Sequence, residues 1–236
     1  KGKPVTQVKP NTKVVSAPKR PGKDRVMEMT LVREVIKVDS VRDVHLIDHH
    51  IGYIQLVDFS AHTGEQFSNA LSSLLKQGAD SLIIDLRNNP GGVLDAAVAV
   101  AEPFFRKDEL VVYTQGRKPE DRENFLAGLD GDPVRLPMAV IINAGTASAA
   151  EVVTGALKDT KRAVVVGERS FGKGSVQTIF DLEHGEGMRL TTARYYTPGG
   201  VSIHEKGIAP QVEVVMTPEE DNKLRLQRAR NDMTNP

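Results

Sequence analysis

Short apolar runs alternate with amphipathic stretches between residues 51 and 166, and this pattern constrains the chain more than any other feature. Ile51–Phe59 (IGYIQLVDF) alternates like a half-buried strand. Thr63–Gln77 follows with Phe67, Ala70, Leu71, Leu74 and Leu75 at helical spacing. Ser81–Leu86 (SLIIDL) and Pro137–Ile142 (PMAVII) are continuous apolar runs, as expected of parallel strands buried on both faces. Leu94–Phe105 reads as a helix, Leu110–Tyr113 as a strand and Gly116–Asp132 as a polar surface loop. A helix over Ala149–Lys158 and a strand over Arg162–Val166 complete the series. Strand, helix and strand in this order predict an α/β fold with a largely parallel sheet. Active sites of such sheets form where strands end and helices begin, which singles out the loops 87–92 and 143–148.

The flanks read differently. Lys13–Val15 and Val26–Val32 have strand character, with Pro21-Gly22-Lys23-Asp24 as a hairpin turn between them. The mixed stretch 38–50 reads as a linker. Ser175–Phe180 and Met188–Tyr196 read as two strands joined by a Gly-rich turn. Thr217-Pro218-Glu219-Glu220 combines an N-cap, a proline at the first helical position and first-turn acids, so a C-terminal helical tail is expected over 217–236. Leu224 and Leu226 on that tail suit docking on another subunit or capping this one.

Charge separates the same regions. The 236 residues carry 31 Lys and Arg against 31 Asp and Glu. Residues 1–37 hold ten cations and three acids, whereas the other 199 residues hold 21 and 28. The basic segment has no aromatic residue to stack on bases, so it reads as the edge of a small module and no nucleic-acid partner is expected. Without cysteine there is no disulfide framework, thiolate zinc site or cysteine nucleophile. No apolar run reaches the roughly 18 residues of a membrane span. Lys1 is not an initiator and no signal peptide precedes it, so a processed or truncated chain is expected.

Chemistry is expected first at Gly145-Thr146-Ala147-Ser148-Ala149-Ala150-Glu151. Small neighbours let a substrate backbone approach the Ser148 hydroxyl, and a helix N-terminus offers unpaired N–H groups, with Ala149 placed to help hold an oxyanion. Ser148 and Glu151 also have the spacing of a capping box, which by itself accounts for a serine there. Gly-x-Ser-x-Gly is absent, so this is not an α/β-hydrolase elbow. Lys173, between Gly172 and Gly174, is the candidate base: burial would favour its neutral form, and Gln177 four residues on could orient the amine. An exposed loop lysine is the plainer reading. The histidines His45, His49, His50, His62, His184 and His204 offer alternatives. His45 and His49 have H-x-x-x-H spacing but lack the Glu of H-E-x-x-H, so no metal site is expected, and no cofactor is called for. Gly167–Ser175 (GERSFGKGS) superficially matches a phosphate loop, yet a strand follows it instead of a helix. Gly91-Gly92 exposes backbone N–H groups that suit a second oxyanion donor, and a plain strand-to-helix turn explains the pair too.

Together DLRNNPGG (85–92), GTASAAE (145–151), GERSFGKGSVQ (167–177), RYYTPGG (194–200) and KGIAPQVEV (206–214) resemble the carboxy-terminal processing proteases, also called tail-specific proteases. In that family the nucleophilic serine precedes the lysine by 25 residues, as Ser148 precedes Lys173 here. The family usually has Ser where Ala150 stands and Asp where Gln211 stands. The resemblance implies a Ser-Lys dyad of Ser148 and Lys173, support of the lysine by Gln177, and an oxyanion hole from Ala149 with Gly91 or Gly92. It implies a ClpP/crotonase-like protease core over 51–216, preceded by an incomplete PDZ domain over 1–37. Lys3-Pro4-Val5 and Lys9–Val14 resemble two PDZ pieces that relatives separate by a helix, so PDZ residues are expected to be missing at Val8–Lys9 and before Lys1.

The implied partners are proteins with exposed C-terminal tails, together with an activating adaptor protein and a homo-oligomer. The implied location is a bacterial periplasm or another extracytoplasmic site, with membrane association through a missing N-terminal segment. Two rivals stand beside this reading. One is a non-catalytic PDZ-containing scaffold that uses Ser148 only as a cap. The other is a crotonase-like acyl-CoA enzyme, which would need an adenine-nucleotide pocket and leaves the Lys173 loop unexplained.

Overall fold

The computed structural model describes residues 13–16, 29–32, 38–217, 219–224 and 226–227. The chain divides into two compact units, one of residues 1–38 with 181–188 and the other of residues 39–180 with 189–236. In the first, β1 (Lys13–Ser16) and β2 (Met29–Val32) pair antiparallel, with Lys13 opposite Val32 and Ser16 opposite Met29. The expected turn at 21–24 and the Val8–Lys9 junction lie outside the described residues.

The second unit is built on a six-stranded sheet in the order β12-β9-β8-β5-β4-β3. These strands are β3 (Val41–Ile47), β4 (Ile51–Leu56), β5 (Ser81–Asp85), β8 (Met138–Ile142), β9 (Val164–Gly167) and β12 (Val212–Glu213). All neighbours run parallel except β3 against β4, so the largely parallel α/β expectation holds. Helices α1 (Thr63–Lys76), α2 (Leu94–Ala101) and α3 (Ala149–Asp159) make the crossovers. The register puts Ile54, Ile84, Val140 and Val165 side by side across four strands, all four fully buried. Parallel strands covered on both faces need such continuous apolar rows, which is why SLIIDL and PMAVII were legible.

A second sheet of four strands has the order β10-β11-β6-β7, with β11 antiparallel to β6 and β6 antiparallel to β7. It comprises β6 (Leu110–Gln115), β7 (Glu123–Leu126), β10 (Ser175–Asp181) and β11 (Gly187–Tyr196). Tyr113 of β6 faces Tyr196 of β11 in register, their rings stack at 5.1 Å, and the Arg122 guanidinium lies 3.8 Å over Tyr113.

Two boundaries differ from expectation. The linker read over 38–50 is not one, since β3 forms an edge of the main sheet. A bulge between Arg42 and His45, with Asp43 at φ 50°, breaks its alternation, and an edge strand needs few apolar residues. The polar stretch 116–132 contains β7, which is mostly exposed and therefore lacks an apolar signature. At the C-terminus, residues 219–224 and 226–227 are helical. Thr217 caps that helix: the Glu220 N–H donates to Thr217 Oγ1 (3.3 Å) and the Thr217 N–H to Glu220 Oε2 (2.8 Å). Both Thr217 donors hold the Glu220 carboxyl below its ordinary range.

Candidate active site

The loops that follow the adjacent parallel strands β5 and β8 are stitched to each other. Thr146, fully buried, donates from Oγ1 to the Leu86 carbonyl (2.8 Å) and accepts the Asn143 N–H (3.0 Å). The Asn88 N–H donates to Asn143 Oδ1 (2.8 Å), and the Ala147 N–H to the Asn89 carbonyl (2.9 Å). Asn89 is also fully buried: its Nδ2 reaches the Leu56 carbonyl (2.8 Å) and its Oδ1 accepts the Gly91 N–H (2.8 Å). Below them Asp85, with no exposed surface, accepts the Tyr53 hydroxyl (2.7 Å) and the Arg87 guanidinium (2.6 Å to Nη2, 3.0 Å to Nε). Burial would lower the Arg87 pKa, but the Asp85 hydrogen bonds and charge outweigh it and hold the guanidinium above its ordinary value.

On this platform Ser148 has φ 56° and ψ −119°, a conformation that costs a non-glycine residue about 1–3 kcal/mol. It is the N-cap of α3, and the capping-box pair with Glu151 is present. However, the Glu151 N–H is satisfied by the Ser148 carbonyl (2.8 Å), so the hydroxyl is not required as the cap. Gly91 packs directly on the turn, where a Cβ would lie 2.7 Å from Ala149 N and 2.8 Å from Ser148 Cβ. Gly92 forms a parallel bridge with Phe59, and a Cβ there would collide with the Phe59 carbonyl. Gly91 N–H already donates to Asn89. In a parallel bridge of this kind the N–H of Gly92 turns away from Phe59, and it makes no hydrogen bond among the described residues.

Glu151 joins the serine to the lysine loop. Its fully buried carboxylate accepts the Ser148 N–H (2.8 Å) and the Lys173 N–H (2.8 Å) on Oε2. Oε1 takes the Gly172 N–H (2.7 Å) and the Ser170 hydroxyl (2.5 Å). The Phe171 N–H reaches the Thr146 carbonyl (2.9 Å), and the Tyr195 N–H reaches the Gly174 carbonyl (2.8 Å). The loop is therefore anchored on both sides, and one carboxylate oxygen serves the backbones of both Ser148 and Lys173.

The side chains are not yet engaged. Lys173 and Gln177 are exposed, contrary to the burial expected for the base, because the buried part of the loop is backbone at Gly172 and Gly174. No hydrogen bond joins Ser148 Oγ to Lys173 Nζ, or Lys173 Nζ to Gln177, among the described residues. No histidine is hydrogen-bonded to Ser148 either: His184 sits in the 181–188 turn, and His204 Nε2 lies 3.6 Å from Glu205. His45 is on β3 and His49 in the turn after it, so they do not share a helix face. β10 starts at Ser175, two residues after Lys173, which removes the strand-to-helix geometry of a phosphate loop. Sequence reasoning missed Asp85, Arg87, Asn89 and the central role of Glu151. Only Asp85 carried a signal, as an acid embedded in the apolar run SLIIDL that only a buried partner could justify.

Comparison with known proteins supplies the remaining information. The model of peptidase family S41 matches residues 50–214. The carboxy-terminal-processing protease of Bartonella bacilliformis is 43% identical over 197 residues, covering 82% of this chain and 45% of that protein. The carboxyl-terminal-processing protease of Synechocystis is 41% identical over 211 residues, covering 88% of this chain and 48% of that protein. A solved photosystem II D1 C-terminal processing protease superposes with a TM-score of 0.68 at 34% identity, covering 88% of this chain and 56% of that one. The chain thus spans about half the length of the curated relatives it matches.

Proposed function

The chain belongs to peptidase family S41, and on that premise we propose that it is a serine endopeptidase acting on proteins with unstructured C-terminal tails, with Ser148 as nucleophile and Lys173 as base. One observation carries the reading: a strained Ser148 whose backbone shares the buried Glu151 carboxylate with the backbone of Lys173. Strain of this kind persists only where the surroundings over-determine it, and it concentrates at functional sites. A helix cap needs no such conformation, which favours the enzyme over a binding scaffold.

The chemistry follows the usual order for acyl transfer. Neutral Lys173 takes the Ser148 proton as the hydroxyl oxygen attacks the scissile carbonyl, and the N–H groups of Ala149 and Gly92 receive the developing oxyanion. Lys173 then gives its proton to the leaving amine, which leaves an acyl-Ser148 ester. A water molecule, deprotonated by Lys173, hydrolyses the ester and regenerates the serine. Lys173 is exposed in this arrangement, so on this reading the bound tail completes the exclusion of water around the amine, and Gln177, four residues on, becomes its orienting partner.

The pair β1–β2 belongs, on this reading, to a partial PDZ domain that takes a tail by strand addition. The relatives from Bartonella bacilliformis and Synechocystis are bacterial C-terminal processing proteases, which supports an extracytoplasmic location for this chain; among the described residues no helix is long and apolar enough to cross a membrane. An activating adaptor and a homo-oligomer complete the proposed associations.

The test is a folded reporter protein with and without an appended apolar, unstructured C-terminal tail. The tailed form is cleaved and the untailed form is not. Ser148→Ala and Lys173→Ala each lower kcat at least about 1,000-fold while the fold is retained. Activity retained in Lys173→Ala and lost on replacing His184 or His204 would instead identify a Ser-His enzyme.

A further inference from the structure

A knot of polar side chains centred on the buried Ser40 lies where the chain enters the second unit, and the reaction above does not use it. Ser40 is fully buried. Its hydroxyl donates to Asp58 Oδ1 and lies 3.0 Å from Ser60 Oγ. Its N–H donates to Gln66 Oε1 (2.9 Å), and Gln66 Nε2 in turn donates to Asp39 Oδ1 (2.8 Å). Its carbonyl accepts the Val57 N–H (2.9 Å). Every polar atom of Ser40 is thus engaged, and two of these bonds grip residues 57–58.

The same segment faces the catalytic loop with its other edge. The Phe59 N–H donates to the Gly91 carbonyl (3.1 Å), and the Phe59 carbonyl accepts the Val93 N–H (2.8 Å). These bonds bracket Gly92 and fix the direction of its N–H. From Ser40 to Gly92 the path is therefore one side-chain hydrogen bond, one peptide link from Asp58 to Phe59, and one two-bond bridge. Phe59 is itself buried in the core, so its backbone cannot adjust independently of the knot.

We infer that Ser40 and Asp58 are positioning residues, which act through Phe59 to hold the Gly92 amide where the oxyanion forms. The inference rests on Gly92 as an oxyanion donor. Its physical basis is the steep distance dependence of that interaction: a donor must lie about 2.7–3.1 Å from the oxyanion, and losing one donor costs roughly 100- to 1,000-fold in kcat. Releasing the Ser40–Asp58 bond lets the 57–60 segment drift and moves Gly92 with it, without touching any group that binds the substrate tail.

The experiment uses the whole chain with Ser40→Ala, Asp58→Ala, Asp58→Asn and the Ser40→Ala/Asp58→Ala double variant. Both alanine variants lower kcat at least about tenfold with KM within about twofold. They weaken a peptidyl boronate, whose tetrahedral adduct fills the oxyanion site, in the same proportion. The double variant is no worse than either single one, as two partners in one contact require. Asp58→Asn keeps the acceptor oxygen and retains most of the wild-type kcat. Amide hydrogen exchange speeds up at Phe59 and Val93, while Ile84 and Val140 stay as protected as in the wild type.

Unchanged kcat, boronate affinity and exchange in the alanine variants of an active chain would overturn the inference. Exchange raised equally at Ile84 and Val140 would overturn it too, by showing a general loosening. Loosening confined to Phe59 and Val93 in a chain that cleaves no tailed protein would uphold the coupling from Ser40 to Gly92 and count against the proposed function instead.

Discussion

Ser148 concentrates the case at the scale of single residues. A serine that only capped α3 would adopt the extended backbone typical of N-caps, yet this one has φ 56° and ψ −119°. The strain is held in place by the Glu151 carboxylate on its N–H and by the Asn89 carbonyl on the preceding amide. Glycine adopts positive φ at no steric cost, whereas alanine keeps the strained Cβ. Ser148→Gly is therefore predicted to be about 1 kcal/mol or more stable than Ser148→Ala in urea unfolding, with both inactive. Equal stability of the two variants would mean that the backbone at 148 relaxes freely and stores no strain. Sequence reasoning found the serine and could not find its conformation, because S-x-x-E spacing is the same in a plain cap and in a strained turn.

At the scale of elements, Glu151 ties the first turn of α3 to the loop before β10. One carboxylate accepts four donors: the amides of Ser148, Gly172 and Lys173 and the Ser170 hydroxyl. Glu151→Gln replaces one acceptor oxygen with an NH2 group and turns a buried donor against donors, each unsatisfied group costing about 1–3 kcal/mol. The predicted result is a loss of at least about 2 kcal/mol of stability and more than tenfold in kcat, with exchange raised at Gly172 and Lys173. Near-wild-type stability of Glu151→Gln would show that the carboxylate is replaceable. The elements themselves were largely legible: α1, β5, β8 and α3 lie within a residue or two of the apolar runs that announced them. β3 and β7 were not, since an edge strand with a bulge and a strand of exposed residues bury too little to leave a period. Glu151 was visible only as half of a capping box, because nothing local marks a contact that spans 19 to 22 residues.

For the whole molecule, the parallel sheet explains why the site is where it is. β5 and β8 are neighbours, so the loops that follow them meet, and a stitched platform of Thr146, Asn88, Asn89 and Asn143 forms at their ends. The strand-helix alternation singles out those two loops in the sequence, but not the contacts that stitch them. The approach of the 170–174 loop has no such signal, because it depends on packing beneath residues 203–208 rather than on any local pattern. The Ser170 hydroxyl accepts the Ile208 N–H at 2.6 Å, and the Glu205 N–H reaches the Gly172 carbonyl at 2.9 Å. The charge split between residues 1–37 and the rest does not follow the two units, because the first unit also takes in residues 181–188 with Asp181, Glu183 and Glu186. Activation of a Ser148 nucleophile by Lys173 is addressed most directly by covalent labelling. The chain is treated with a peptidyl fluorophosphonate and the adduct located by peptide mass spectrometry. The predicted result is a single adduct on the peptide that contains Ser148, absent in Ser148→Ala and formed at least about 100-fold more slowly in Lys173→Ala. An adduct elsewhere in a chain that cleaves tailed proteins, or a labelling rate at Ser148 that Lys173→Ala leaves unchanged, would contradict it.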